Sequence, residues 1–144
     1  AGDDGDFDAL CQQLHRYQAT LRTCFTLENF DNLIKNGRMR PIVGTLLRSL
    51  GIHIIADATA EGTIHVADKA RGVGKTYRAI TALMKASKDC TDAEVVISHC
   101  ENLEGAMALK RQILAALPVK QVDLLSCRGL TSFYAMEKGL IVGY

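Results

Sequence analysis

One hundred and forty-four residues is one domain's length of chain, and a hydrophobic share of 48% is an ordinary globular proportion. A chain of this length buries about two thirds of the surface it exposes unfolded, so it needs no metal or disulfide to stand. Seventeen Lys and Arg against sixteen Asp and Glu leave a net charge of +1, which argues against a general nucleic-acid or polyanion binder and leaves room for one local basic site. The longest stretches free of Asp, Glu, Lys and Arg are eight residues, such as Ser49 to Ala56 and Gln112 to Val119, far short of the roughly 20 that a spanning helix needs. The opening Ala1-Gly2-Asp3-Asp4-Gly5-Asp6 is acidic and has no apolar segment of the signal-peptide kind. It has no initiator Met, as expected of a processed chain or an excised fragment. Cysteines 11, 24, 90, 100 and 127 form an odd set without a Cys-x-x-Cys pair, the usage of a cytosolic protein with reduced thiols.

Phe7, Leu10, Leu14, Tyr17 and Leu21 recur at helical spacing and predict a first helix with one buried face. Arg22 to Thr26 reads as a short strand. Thr26 can cap a second helix with Phe30, Leu33 and Ile34 on its apolar face and Gly37 as its stop. Pro41 suits the first turn of a third helix, with Ile42, Leu46, Leu47 and Leu50 inward and Gly51 at its end. Ile52 to Asp57 and Thr63 to Ala67 flank an Ala-Glu-Gly turn as a β-hairpin. Tyr77, Ile80, Leu83, Met84 and Ser87 mark an amphipathic helix, and Glu94 to His99 a strand rich in β-branched residues. Leu103, Ala106, Leu109, Ile113 and Leu117 mark another helix, capped by Asn102 and terminated by Pro118. Val119 to Ser126 and Gly139 to Tyr144 close the series as strands. Helices interspersed with about six strands imply an α/β (α+β) two-layer sandwich on one mixed, largely antiparallel sheet.

Four groups of residues carry chemical interest. Gly72-Val73-Gly74-Lys75-Thr76 resembles the end of a phosphate-binding P-loop, but Lys69 stands where the first glycine of that motif belongs. A glycine-rich helix start describes it better, with Lys69, Arg71 and Lys75 forming a candidate anion or partner site. His53 and His65 can approach across the hairpin on the face that carries Asp57. A catalytic zinc wants three converging ligands, and solvent-facing strand histidines are commoner, so no metal is expected. Cys100 follows His99, yet adjacent strand residues point to opposite faces, so a catalytic thiol is not expected there. In Asn36-Gly37-Arg38-Met39-Arg40-Pro41 two guanidinium groups project from a sharply fixed corner beside a helix start that favours an anion. The plainer alternative has Arg38 capping the preceding helix and Arg40 paired with a carboxylate. Finally, Ser126 to Tyr134 combines a glycine, hydroxyls and two aromatics. It either lines a pocket or forms a short helix whose rings complete the core.

Taken together these segments resemble the C-terminal half of the DegV family of bacterial fatty-acid-binding proteins. Thr26-Leu27-Glu28-Asn29-Phe30 through Lys35-Asn36-Gly37-Arg38-Met39 is similar to the family's Gly-Arg signature, and Leu46 to Ile52 to its continuation. Val96-Ile97-Ser98-His99 with Glu101 to Ala106 matches its strand-to-helix step. The resemblance implies a DegV-like C-terminal domain spanning 1–144 and lacking the N-terminal domain that supplies hydroxyl and backbone ligands for a carboxylate. It implies a cytoplasmic, non-catalytic carrier of long-chain fatty acid that presents its cargo to a fatty-acid kinase and receives an acyl phosphate. It also leaves room for peripheral membrane contact and implies no cofactor. Family roles put Arg38 near the lipid head group. Many members place a His of a Thr-His-x-Gly-Pro-Gly segment there. This sequence has Gly129-Leu130-Thr131-Ser132-Phe133-Tyr134 instead, which passes that role to Thr131 or Ser132, with Phe133 as apolar wall. Arg71 is the implied contact for the kinase, with Arg40 and Lys75 as further anion or partner contacts. Each buried methylene yields roughly 0.8 kcal/mol, so a long acyl chain supplies a gross driving force on the order of 10 kcal/mol. Charge-assisted hydrogen bonds at one end then fix its orientation. The alternatives are a phosphate- or nucleotide-handling enzyme using Gly72 to Thr76, and a protein-interaction domain.

Overall fold

The computed structural model describes residues 6–39, 51–59 and 61–144. Helix α1 (Phe7–Thr20) leads into strand β1 (Thr23–Leu27) and the single-turn helix α2 (Asp31–Lys35). The hairpin β2 (Ile52–Ala58) and β3 (Ile64–Arg71) follows, then helix α3 (Val73–Ser87) and strand β4 (Glu94–His99). Helix α4 (Leu103–Ala116), strand β5 (Gln121–Ser126), helix α5 (Gly129–Ala135) and strand β6 (Leu140–Gly143) complete the order. The expected third helix starting at Pro41 lies outside the described residues. Among the described residues no helix is long and apolar enough to cross a membrane.

The six strands form one sheet in the order β3-β2-β1-β6-β4-β5. Only β4 and β5 run parallel, joined through α4; every other neighbouring pair is antiparallel. The largely antiparallel mixed sheet read from the sequence is therefore the observed one. Strand alternation sends residues to two faces. Cys24, Ile55, Val95, Ile97, Val122, Leu140 and Val142 meet Tyr77, Ile80 and Met84 of α3 and Ala106, Leu109 and Ile113 of α4 in the main core. On the other face Leu27, Ile54 and Ala56 pack with Phe30, Leu33, Met39 and Ala135, a smaller cluster confined to the α2 and α5 end.

Three expectations need correction. Helix α1 exists as its periodicity predicts, but its apolar stripe is not buried: Phe7, Leu10, Leu14, Tyr17 and Leu21 are all exposed, Phe7 at 74%. Periodicity reports amphipathicity; it does not report what covers the apolar side. Thr26 does not cap α2. It lies within β1, its hydroxyl is buried without a hydrogen-bond partner, and the backbone enters the helix at Phe30 with no side-chain cap. The hairpin register sets His53 opposite Ala70 and His65 opposite Asp57, so the two histidines do not meet. His65 instead pairs its Nδ1 with Asp57 Oδ1 at 2.9 Å on the exposed strand surface.

At the foot of the main core, Tyr144 shares a 2.8 Å hydrogen bond with Ser87, and Cys24 is fully buried nearby. Burial pushes the Cys24 thiol from 9.0 up to about 12, with the charge of Asp57 adding to it. Burial likewise pushes the Tyr144 phenol from 10.0 to about 12, despite the opposing Ser87 hydrogen bond. Both groups keep their protons in the folded chain over a range where the unfolded chain sheds them. Their contribution to stability is complete below the unfolded values and is lost as pH rises from 9 toward 12. Urea midpoints should fall steadily across that alkaline window, and Tyr144→Phe should flatten part of the fall. A midpoint constant up to pH 11 would contradict this account.

Candidate functional site

The ends of the strands bring the candidate residues together. The C-terminal ends of β1, β3, β4 and β5 and the starts of β2 and β6 share one edge of the sheet. The helices α2 and α5 hang from that edge, and α3 and α4 begin there. Arg38 reaches it because α2 ends in a tight glycine turn. Gly37 takes the left-handed φ of +69°, with its N–H on Ile34 O at 3.0 Å and the Arg38 N–H on Leu33 O at 2.8 Å. These two bonds form the Schellman pattern, which needs a residue tolerant of positive φ at that one position.

The Arg38 guanidinium donates from Nη1 to Asn36 O at 2.9 Å, so the plainer expectation of a capping arginine holds for that bond. Its Cζ also lies over the Tyr134 ring, 5.4 Å from the centroid. Such a contact at an exposed site contributes about 0.5–1 kcal/mol. Tyr134 meets Phe133 edge-on at 5.0 Å, and Asn32 of α2 donates to the Phe133 carbonyl at 2.6 Å. The α2 turn and α5 are thereby clamped side by side. The Ser126 to Tyr134 segment thus leaves β5 and forms the short helix from Gly129, with Tyr134 partly buried and Phe133 half exposed.

The approach and exit of α5 are fixed by β4. Cys127 donates its N–H to His99 O at 2.8 Å, Lys138 to Cys100 O at 2.8 Å, and Cys100 to Gly139 O at 3.0 Å. Asn102 both caps α4 through Gly105 N and donates to Lys138 O at 2.9 Å. Within this frame a cleft of about 290 Å³ opens beyond the carboxyl ends of the parallel strands, lined by His99, Cys100, Asn102, Cys127 and Ser132 among others. His99 accepts a long 3.4 Å bond from Asn102 N while Cys100 points to the opposite face, so among the described residues no base is hydrogen-bonded to that thiol.

A second cleft of about 310 Å³ lies between the starts of α3 and α4, with Thr26, His53, Tyr77, Glu104 and Lys138 on its walls. Burial holds the Tyr77 phenol above its ordinary value, reinforced by Glu104 and then Glu28. Glu28 itself lies 3.8 Å from Lys138. The Gly72 to Thr76 segment edges this cleft but is not a P-loop. It follows an antiparallel strand, and the buried Thr76 hydroxyl donates back to Gly72 O at 3.1 Å instead of facing outward.

Of the residues singled out in the sequence, Arg38 is brought against α5 at Tyr134, the neighbour of Phe133 in the chain, while Ser132 lines the 290 Å³ cleft and Thr131 is exposed on the same short helix. Arg71 and Lys75 are exposed at the head of α3, the helix that packs into the main core, whereas Tyr134 packs with the smaller cluster. Arg40 lies outside the described residues. Sequence reading missed Tyr134 as the partner of Arg38 and Asn32 as the clamp. Both lie in stretches singled out in the sequence, but nothing local pairs them; α2 and α5 meet because β5 and β6 return α5 to the end of β1.

The class defined by these features is an open-sheet α/β domain with a polar crevice at the carboxyl ends of its parallel strands, where such sheets take their ligands. The chain belongs to the DegV family: the family model described as "Uncharacterised protein, DegV family" matches residues 1–140. A "DegV domain-containing protein" of Streptococcus gordonii is 32% identical over 139 residues, covering 96% of this chain and 49% of that protein. The chain thus spans about half the length of the curated relatives it matches. It is also similar to the crystal structure of the Streptococcus pneumoniae Fatty Acid Kinase (Fak) B3 protein loaded with linoleic acid. The TM-score is 0.87 at 32% identity, covering 96% of this chain and 49% of that one. A DegV family protein from Eubacterium eligens loaded with heptadecanoic acid gives a TM-score of 0.88 at 27% identity, with coverage of 96% and 50%.

Gly139 decides how closely α5 docks. A Cβ added there would press into the Ala135 carbonyl oxygen and stand 2.9 Å from the Ala135 Cβ. Gly139→Ala should therefore cost about 1–3 kcal/mol, the range for overpacking, read from urea unfolding. A loss under about 0.5 kcal/mol, the size of an ordinary surface change, would mean that the turn yields freely and does not hold α5.

Proposed function

We propose that this domain is one half of a fatty-acid carrier, binding the head-group end of a long-chain fatty acid at the corner formed by Arg38, Thr131, Ser132 and Phe133. The observation that carries the reading is the clamp between α2 and α5, which sets the Arg38 guanidinium over the half-buried Tyr134 ring of a short helix that also bears the exposed Phe133 and two hydroxyls. Arg38 supplies the charge, Thr131 or Ser132 a hydroxyl donor, and Phe133 an apolar wall. The linoleic and heptadecanoic acids loaded in the two similar structures support the ligand class.

The chain spans about half of its relatives' length, which supports a second domain in the carrier. We read the chain as the C-terminal half, whose partner domain covers the exposed stripe of α1 and supplies the remaining carboxylate ligands. The carrier itself is non-catalytic in this reading and acts in the cytoplasm. It hands fatty acid to a fatty-acid kinase and takes back an acyl phosphate, with Arg71, Lys75 and Arg40 as candidate contacts for that exchange. The similarity to the Fatty Acid Kinase (Fak) B3 protein supports the kinase as partner.

Native mass spectrometry of the protein including its partner domain, purified from bacteria, should show one bound fatty acid. Recovery only of empty protein would count heavily against the reading. Loss of one charge-assisted hydrogen bond costs about 1.5–3 kcal/mol, so Arg38→Ala should weaken linoleic acid binding roughly 10- to 100-fold with an unchanged circular dichroism spectrum. Unaltered affinity would remove Arg38 from the site.

A further inference from the structure

A pair of cysteines lies at the ends of β4 and β5, in the cleft that Ser132 also lines. The parallel register runs Ser98 opposite Leu125 and His99 opposite Ser126, and the Cys127 N–H continues that ladder onto His99 O. One step further brings Cys100 opposite Cys127. Alternation puts Ile97 and Val122 into the main core and turns Cys100 and Cys127 together to the other face, where both pack against the second cluster. Neighbouring strands lie about 4.8 Å apart, inside the range of roughly 4.4–6.8 Å over which Cα atoms carry a disulfide. Both thiols are half-buried and line the same 290 Å³ cleft with Ser132, which opens a route for a small reagent. The remaining cysteines are placed differently: Cys24 and Cys90 are buried in the main core, and Cys11 stands on α1, on a helix with no buried residue.

We propose that Cys100 and Cys127 are a redox-active dithiol that closes to an intrachain disulfide on reaction with a low-molecular-weight disulfide. One protein thiol loses its proton to solvent, and its thiolate attacks a sulfur of the small disulfide. That S–S bond breaks, releasing one small thiolate and leaving a mixed disulfide on the protein. The second protein thiolate then attacks the protein-side sulfur and expels the other small thiolate. The protein is oxidised by two electrons, the small disulfide is reduced to two thiols, and the protons lost by the protein reprotonate them. The bridge ties the carboxyl ends of the parallel strands together beside the start of α5. Burial, and then the neighbouring Cys100, hold the Cys127 thiol above its ordinary value, so the exchange runs faster as pH rises and the thiolate fraction grows.

The test treats the protein with oxidised glutathione at mildly alkaline pH, quenches with acid, and reads intact mass and an alkylated peptide map. Net loss of two hydrogens and a cross-linked Cys100–Cys127 peptide is expected, with reversal by dithiothreitol. Cys100→Ser and Cys127→Ser should each abolish the cross-link and accumulate one glutathione on the surviving partner, whereas Cys11→Ser should leave the cross-link intact. Stable glutathione on both Cys100 and Cys127 without a bridge would overturn the proposal, as would a bridge formed through Cys11. So would reaction at Cys11 with both cleft thiols silent. No lipid enters the assay, so its outcome is separate from that of the carrier reading.

Discussion

The architecture depends on where its shortest strand goes. β6 pairs antiparallel with β1 on one side and with β4 on the other, joining the N-terminal hairpin half of the sheet to the β4–α4–β5 unit. Leu140 and Val142 are almost wholly removed from solvent in the main core, while Ile141 turns to the smaller cluster on the opposite face. A four-residue strand in the middle of a sheet satisfies both of its backbone edges and gives side chains to two layers. It also decides where α5 stands, because the turn entering β6 is held to Cys100 and Asn102 by three hydrogen bonds. The corner around Arg38 is thus a consequence of sheet topology, built from residues about a hundred positions apart.

Chemistry at that corner is set by what each partner leaves unsatisfied. One guanidinium nitrogen is committed to the end of α2, while the charged carbon sits over the Tyr134 ring. Arginine combines those two contacts because its charged group is flat and delocalised; a lysine at the same position would keep the charge and lose the stacking. By contrast, the glycine-rich start of α3 spends its threonine hydroxyl on its own backbone, which removes the group a phosphate site would need.

Local patterns in the sequence were sufficient for most elements. The β-branched run at Glu94 to His99, the Asn102 cap and Pro118 stop of α4, and the Gly37 stop of α2 each act within a few residues, and each is found where its chemistry puts it. What could not be read was whatever depends on register or on a distant partner. His53 and His65 were separated by hairpin pairing with a bulge between Ile55 and Ala56, which spacing alone does not reveal. Thr26 has the right side chain for a helix cap, but its strand continues one residue further to Leu27 and carries its hydroxyl inward. The stripe on α1 was legible as apolar, although nothing in it states which surface covers it. Tyr134 was legible only as one of two aromatics until α5 was brought against α2.

The central position of β6 also shapes how the chain is made. Strand β1 acquires its hairpin neighbour β2 early, yet its other edge waits for residues 140–143, more than roughly a hundred positions downstream. At synthesis rates of about 5–20 residues per second, that edge stands open on the ribosome for on the order of ten seconds. Long-range pairing of this kind slows folding and leaves a row of unpaired amides and carbonyls exposed meanwhile. The nascent polypeptide is therefore most exposed to aggregation, and most in need of a chaperone, in the interval before its final strand emerges.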